Sequence, residues 1–405
     1  MIIGILLGCN SNHSPKCFEL SKKRKLEKNY AQNHKPSLST IKVYVENSGS
    51  MDGYVNGNTE FKTDLFNVLK LTGGEISGDI EKYFINDSVI KTDISDDQFS
   101  NGMSVNLFQK MGGTRGTSDI ADLIAKVIKN NKSGEVSIFI SDCVFDPQSS
   151  PDIEKRLSQQ KTTIQSAIKS KLKTDSEFSV VVYKLTSSFT GTYYNKVKPH
   201  TYLNNEQRPY YMWFFGDMCQ LTKVRDLLKK DIESRAGTQV FAETGFIKNI
   251  PYKCPAAKCN NAKGKHIDEP RERDGKFSFS IYMDLSTLPL PEDYLSSASN
   301  YILPNNNDYK VKSVDKYKKK DNNYTHELKI SKNGGNIKEQ TIIVVKLQRP
   351  NIPSWVDDSN DPTGSDYLNR NHPSKARTFG LSSYILGVYD AYGATPIAEF
   401  EVLIK

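Results

Sequence analysis

Three short oxygen-rich segments stand out in this 405-residue chain: Glu46-Asn47-Ser48-Gly49-Ser50-Met51, Gly112-Gly113-Thr114-Arg115-Gly116-Thr117-Ser118-Asp119, and Ser141-Asp142. Together they offer an all-oxygen set of hydroxyls and carboxylates. Such a set suits a hard cation such as Mg2+, with Mn2+ or Ca2+ as alternatives, because Mg2+ takes a few protein oxygens and keeps several waters. An underfilled coordination sphere leaves room for a carboxylate from another molecule, so the chemistry implied is binding rather than reaction. Taken singly, Glu-x-Ser-x-Ser is an ordinary turn and Asp142 an ordinary helix cap. Their order and setting make them informative.

The setting is an alternation of strand and helix patterns. Ile41 to Val45 is a compact apolar run, and Phe61, Leu65, Val68 and Leu69 then recur at helical spacing. Glu81 to Asn86 reads as a second strand. Ile120, Leu123, Ile124, Val127 and Ile128 mark a strong helix with Ser118 or Thr117 as its N-cap, and Val136 to Ile140 is a buried strand. A long helix stripe follows from Ile153 to Leu172, then strands at Phe178 to Leu185 and Tyr210 to Phe215. A further helix stripe runs from Leu221 to Ile232, and Thr238 to Ala242 closes the sheet. The pattern predicts an α/β domain over 40–247: an open, mostly parallel sheet with helices on both faces. Ligands of such sheets bind at the carboxyl ends of the strands, where Glu46 and Asp142 stand.

At this point the chain resembles the von Willebrand factor A domain family, in which Asp-x-Ser-x-Ser, a distant Thr and a later Asp form a metal-ion-dependent adhesion site. The resemblance covers about residues 40–247. It implies Ser48 and Ser50 as direct ligands, Thr114 or Thr117 as the threonine, and Asp142 as a ligand directly or through water. The family's first Asp is replaced here by Glu46, which keeps the charge and reaches one methylene further. The function implied is metal-dependent adhesion to a protein partner that supplies an acidic group.

Beyond residue 248 the period changes. Phe277, Phe279, Ile281, Met283 and Leu285 alternate with polar residues, and further strands read at Tyr309 to Val311, Tyr324 to Ile330, Thr341 to Leu347 and Ala398 to Ile404. One helix interrupts them near Phe379 to Val388. This predicts a β-sandwich over 248–405.

The first nine residues, Met1-Ile2-Ile3-Gly4-Ile5-Leu6-Leu7-Gly8-Cys9, resemble the end of a bacterial lipoprotein signal, with Leu6, Gly8 and Cys9 matching the lipid-attachment pattern. Residues 10–39, rich in Asn, Ser, Lys and Pro, read as a flexible tether. The expectation is a lipid-anchored protein of the bacterial cell envelope, attached to the membrane in no other way. Six cysteines suit an exported chain, and Cys254 and Cys259 suit a small disulfide loop better than a zinc site, which needs four ligands. The net charge of +8 is scattered or confined to short runs and comes with no nucleic-acid-binding motif. The run from Arg208 to Phe215 reads as one buried strand rather than a contact surface.

Two other function classes stand beside adhesion. A hydrolase would need a nucleophile elbow or a nearby histidine. Gly-x-Ser-x-Gly is absent, and the six histidines are far apart in sequence. A structural assembly subunit would keep the scaffold with a vestigial metal site. The sequence points to a protein that is not an enzyme.

Overall fold

The computed structural model describes residues 38–116, 118–146, 152–194, 200–247, 250–254, 266–267, 276–304, 308–317, 324–333, 341–364 and 376–404. A mixed sheet of seven strands organises the first part: β1 (Thr40–Glu46), β2 (Ile80–Ile85), β3 (Val89–Thr92), β4 (Glu135–Ser141), β5 (Phe178–Tyr193), β6 (Thr201–Asp217) and β7 (Gln239–Thr244). Their spatial order is β3-β2-β1-β4-β6-β5-β7. β1 is parallel to both β2 and β4, whereas the remaining pairings are antiparallel.

The fold is therefore α/β as expected, with parallel pairing confined to the middle of the sheet. The reason lies in the connection between β5 and β6. Parallel neighbours need a crossover of about a dozen residues or more, and only Tyr194 to His200 separate these two strands. They form one long hairpin instead. The same hairpin buries Tyr210, Tyr211, Met212, Trp213, Phe214 and Phe215, so the aromatic run is core.

β1 is apolar on both faces because both are covered, as expected of a central parallel strand. Val43, Val45, Ile138, Ile140, Met212 and Phe214 share one core with helices α1 (Glu60–Gly73) and α4 (Met218–Leu228). Tyr44, Phe139, Tyr211 and Trp213 share the other with α2 (Ile120–Asn130) and α3 (Ile153–Leu172). Each fully buried Ile or Leu on α2 contributes about 1.5–3 kcal/mol. Asp119 caps α2, its carboxylate accepting from the Asp122 amide at 3.2 Å. The cap is thus neither Ser118 nor Thr117, because the Asp side chain one residue later is in position to accept.

After residue 248 come two four-stranded sheets. One joins β8 (Tyr252–Lys253), β10 (Lys276–Met283), β12 (Tyr309–Lys316) and β13 (His326–Asn333). The other joins β9 (His266–Ile267), β11 (Tyr301–Ile302), β14 (Thr341–Leu347) and β17 (Ala398–Ile404). Phe277, Phe279, Ile281 and Met283 are buried on one side of β10, while Ser278 is exposed on the other. Tyr252 packs edge-on against Phe400 of the second sheet, with ring centroids 5.3 Å apart.

Between β14 and β17 the chain returns to the first sheet. Two short strands, β15 (Asn360–Asp361) and β16 (Thr378–Phe379), pair in parallel and lead into helix α5 (Leu381–Tyr392). α5 packs on α3 and buries Tyr384, Ile385 and Val388 in the second of the two cores. Gly387 makes the close crossing possible, since a Cβ there would sit 2.7 Å from the Lys161 carbonyl oxygen. Lys161 pairs with Asp390 at 2.6 Å, and the Tyr392 hydroxyl donates to the Phe178 carbonyl at 3.1 Å.

Leu38 and Ser39, the last residues of the expected tether, are already held: Leu38 is buried and the Ser39 amide donates to Gly134 at 3.1 Å. Residues 1–37, with Cys9 and the lipid-attachment pattern, lie outside the described residues, as does Cys259. Among the described residues no helix is long and apolar enough to cross a membrane.

The two parts are also joined by a buried ion pair. Arg349, just past β14, pairs with Glu243 of β7, whose side chain is 0% exposed, and donates to the Thr244 carbonyl at 2.8 Å. Removing one member strands the other charge in the interior. Arg349→Ala should lower unfolding free energy by about 3–5 kcal/mol, and joint replacement of Glu243 and Arg349 by Met should cost less than Arg349→Ala. Urea denaturation of the three proteins checks this order.

Candidate cation site

The parallel trio β2-β1-β4 ends on one edge, which brings the three oxygen-rich segments together. Two asparagines tie the strand ends to the loops. Asn86 donates to the Asn47 side-chain oxygen at 2.9 Å and to the Gly112 carbonyl at 3.0 Å, and Asn47 donates to the Phe108 carbonyl at 3.3 Å. Gly113 has φ +75, and a Cβ there would overlap the Asn86 amide at 2.0 Å. Only glycine fits that approach.

Arg115 then clamps the loop after β1. It donates to the Asn47 carbonyl at 2.7 Å, pairs with Asp52, and accepts through its own carbonyl from the Gly49 amide at 3.0 Å.

Within this frame Glu46 is 1% exposed, Ser48 4% and Asp142 3%. The Ser141 hydroxyl donates to Glu46. The Ser48 and Ser50 hydroxyls lie 3.0 Å apart, with Ser48 also bonded to Glu46 and Ser50 to Asp142. One Asp142 oxygen accepts from the Val144 amide at 3.1 Å. Cys143, the residue between, adopts φ +54, a conformation that costs a non-glycine residue about 1–3 kcal/mol and recurs at functional turns.

Burial, first, and the charge of Asp142, second, push the Glu46 carboxyl from its ordinary 4.5 up to about 7. Asp142 is pushed up too, chiefly by burial, with Arg208 acting in the opposite sense. Arg208 comes from β6, is 1% exposed, and lies over the Tyr193 ring at 4.0 Å. With all three groups ionised, two carboxylates face one guanidinium.

The structure thus brings together Glu46, Ser48, Ser50 and Asp142. It turns Thr114 away: that residue is exposed, and its amide donates to Asp87 at 3.0 Å. Thr117 lies outside the described residues. Sequence reasoning gave no site role to Ser141, to Arg208 or to Ser118, whose buried hydroxyl lies near Glu46. Ser141 carried a signal, a hydroxyl at the end of an apolar strand beside Asp142. Arg208 carried none, because its approach depends on how β6 pairs with β4.

The donors fit a hard cation. They are carboxylates and hydroxyls throughout, the donor class such an ion prefers, although among the described residues no group of three or more His, Cys, Asp or Glu side chains gathers that could hold a metal ion. Glu46, Ser48, Ser50 and Asp142 are the residues that would hold Mg2+ or Mn2+, which would supply positive charge to the two carboxylates.

A proton answers the same need, which gives the cation-free protein a pH dependence. The folded chain keeps a proton on Glu46 between about pH 4.5 and about pH 7, whereas the unfolded chain has released it, so stability falls as pH rises through that window. Glu243, also raised to about 7 because burial outweighs Arg349, acts with the same sign. In the absence of divalent cations the urea midpoint should decline from about pH 5 to about pH 7.5, and Glu46→Gln should make the decline shallower without removing it. A midpoint that climbs over this range would contradict the electrostatics described.

Comparison of the chain with protein-family models, with curated proteins and with solved structures returned no match in any of the three.

Proposed function

We propose that this protein is a cation-dependent binding module, in line with its resemblance to the von Willebrand factor A family. In this reading Glu46, Ser48, Ser50 and Asp142 hold Mg2+, Mn2+ or Ca2+, and an acidic group on a protein partner completes the site. The threonine role expected of Thr114 or Thr117 passes in part to Ser118. The observation that carries the reading is the pair of buried carboxylates, Glu46 and Asp142, set among hydroxyls with both acidities weakened. Two such charges away from water call for positive charge nearby. Charge counting favours an anionic partner as well: a divalent ion added to two carboxylates and Arg208 leaves the site net positive.

The rest of the reading follows the sequence. Lipid attachment at Cys9 would hold the protein in the bacterial cell envelope, and the two facing sheets after residue 248 would form a β-sandwich. We propose no catalytic step, since the hydroxyls of Ser48 and Ser50 are engaged with each other and with carboxylates rather than with a general base.

A second reading, a structural assembly subunit with a vestigial site, is favoured by Arg208, because a built-in guanidinium beside Asp142 can stand in for a metal's charge.

Calorimetry with Mg2+ and Mn2+ separates the two. The adhesion reading expects binding by the intact chain and a loss of more than about 100-fold in Asp142→Ala and Ser48→Ala, beyond what outer-shell changes bring. Absence of binding by the intact chain at neutral pH would leave the assembly reading.

A further inference from the structure

The chain enters the first sheet at the edge opposite the candidate cation site. Leu38 is buried, and the Ser39 amide and hydroxyl both donate to the Gly134 carbonyl, at 3.1 Å and 2.5 Å. From this point β1 runs to Glu46, and at about 3.3 Å per residue it sets the two edges roughly 20 Å apart. Residues 1–37, with the basic run Lys22-Lys23-Arg24-Lys25, therefore join the fold at the amino edge.

The C-terminal ends of α2 and α3 meet at that same edge. Lys171, in the last turn of α3, donates to the carbonyl of Asn131 just past α2 at 2.8 Å, and Gly134 stands on the same short loop. Around these contacts are Lys129, Lys132, Lys169 and Lys173, all exposed. A lysine in a last turn offsets the helix dipole, but the ammonium groups of these four form no ion pair among the described residues. The acidic residues nearby are largely answered: Glu135 pairs with Lys42 at 2.6 Å, Asp175 lies beside Lys171, and Glu75, across from Leu38, pairs with Lys223 at 3.4 Å. Asp79, exposed on the α1–β2 loop, leaves the balance positive. A groove of about 1040 Å3 runs between the two helices, and at this end its walls include Ile128, Lys129, Ser170, Lys171 and Thr174. Anionic headgroups fit there, between ammonium groups and hydroxyls.

A positive face calls for an anionic occupant. The entering segment is not that occupant, because its basic run carries the same sign and is repelled. It does bear Cys9, the expected point of lipid attachment, so the anion brought to this edge is a lipid surface. Basic side chains near such a surface are attracted to it, and a basic face and a lipid anchor reinforce each other.

We propose that the amino edge of the first sheet is a docking face for an anionic bilayer, with Lys129, Lys132, Lys169 and Lys173 set against the headgroups. The edge bearing Glu46 and Asp142 then points away from the membrane, where a partner can reach it. The choice of occupant rests on the lipid-attachment reading of Cys9, and the test is made without lipid so that the two fail separately.

The test uses the full chain with Cys9→Ser, co-sedimented with vesicles of phosphatidylcholine alone or mixed with phosphatidylglycerol. Binding should require phosphatidylglycerol and weaken as salt is raised. Lys169→Glu with Lys173→Glu should lower it at least about tenfold, and Lys310→Glu with Lys312→Glu, an equal change of charge on exposed residues of β12, should lower it much less. Equal losses in the two double variants overturn the proposal, since net charge alone would then account for the attraction. It is likewise overturned by no binding to mixed vesicles, or by tighter binding to a random DNA duplex. Should Lys169→Glu with Lys173→Glu fail to fold, hydrogen exchange on the Cys9→Ser chain decides: mixed vesicles should slow exchange across 128–134 and 168–174, and indifference there overturns the face. Mass spectrometry of the unsubstituted chain reads acylation; an unmodified Cys9 beside intact vesicle binding sinks the anchor and upholds the face.

Discussion

Two carboxylates share the carboxyl edge of a parallel strand pair, and water reaches neither. Glu46 ends β1, Asp142 follows β4, and the strands are in register up to Val45 and Ile140. Burial, with the charge of Asp142 second, pushes the Glu46 carboxyl up to about 7, and burial pushes Asp142 up as well. Every neighbouring feature moderates the repulsion between the two carboxylates. Ser141 and Ser48 donate hydroxyls to Glu46, Ser50 and the Val144 amide serve Asp142, and Arg208 supplies a fixed positive charge.

The loops around the edge are held by polar contacts as well as by buried apolar side chains such as Met51, Phe108 and Val144. Asn47 and Asn86 bond each other across strand ends, and Arg115 binds two carbonyls and Asp52 from the opposite loop. Such contacts fix the geometry of the loops around the two carboxylates. Further apolar packing lies one layer deeper, where Tyr44, Phe139 and Trp213 face α2, α3 and α5.

The C-terminal return changes the meaning of the architecture. Helix α5 completes the cover of one sheet face, and the Glu243–Arg349 pair fastens β7 to the end of β14. The edge bearing Glu46 and Asp142 is therefore bounded by chain from both ends of the sequence.

The sequence by itself determined the local pieces. Apolar periodicity placed β1, α2, β4 and α3 within a residue or two, because each buries a continuous stripe whose spacing is set by backbone geometry alone. The same order put Glu46, Ser48, Ser50 and Asp142 at strand ends on one edge. Between Thr114 and Thr117 the sequence left the choice open, because a Gly-Gly-Thr turn does not disclose which way its side chain faces; the Thr114 amide donates to Asp87, brought near by the β2–β3 turn. The antiparallel pairing of β5 and β6, the approach of Arg208 to Asp142 and the packing of α5 on α3 were settled only by tertiary structure. Each depends on which strands and helices become neighbours across long stretches of chain, and burial, not local spacing, chooses those neighbours.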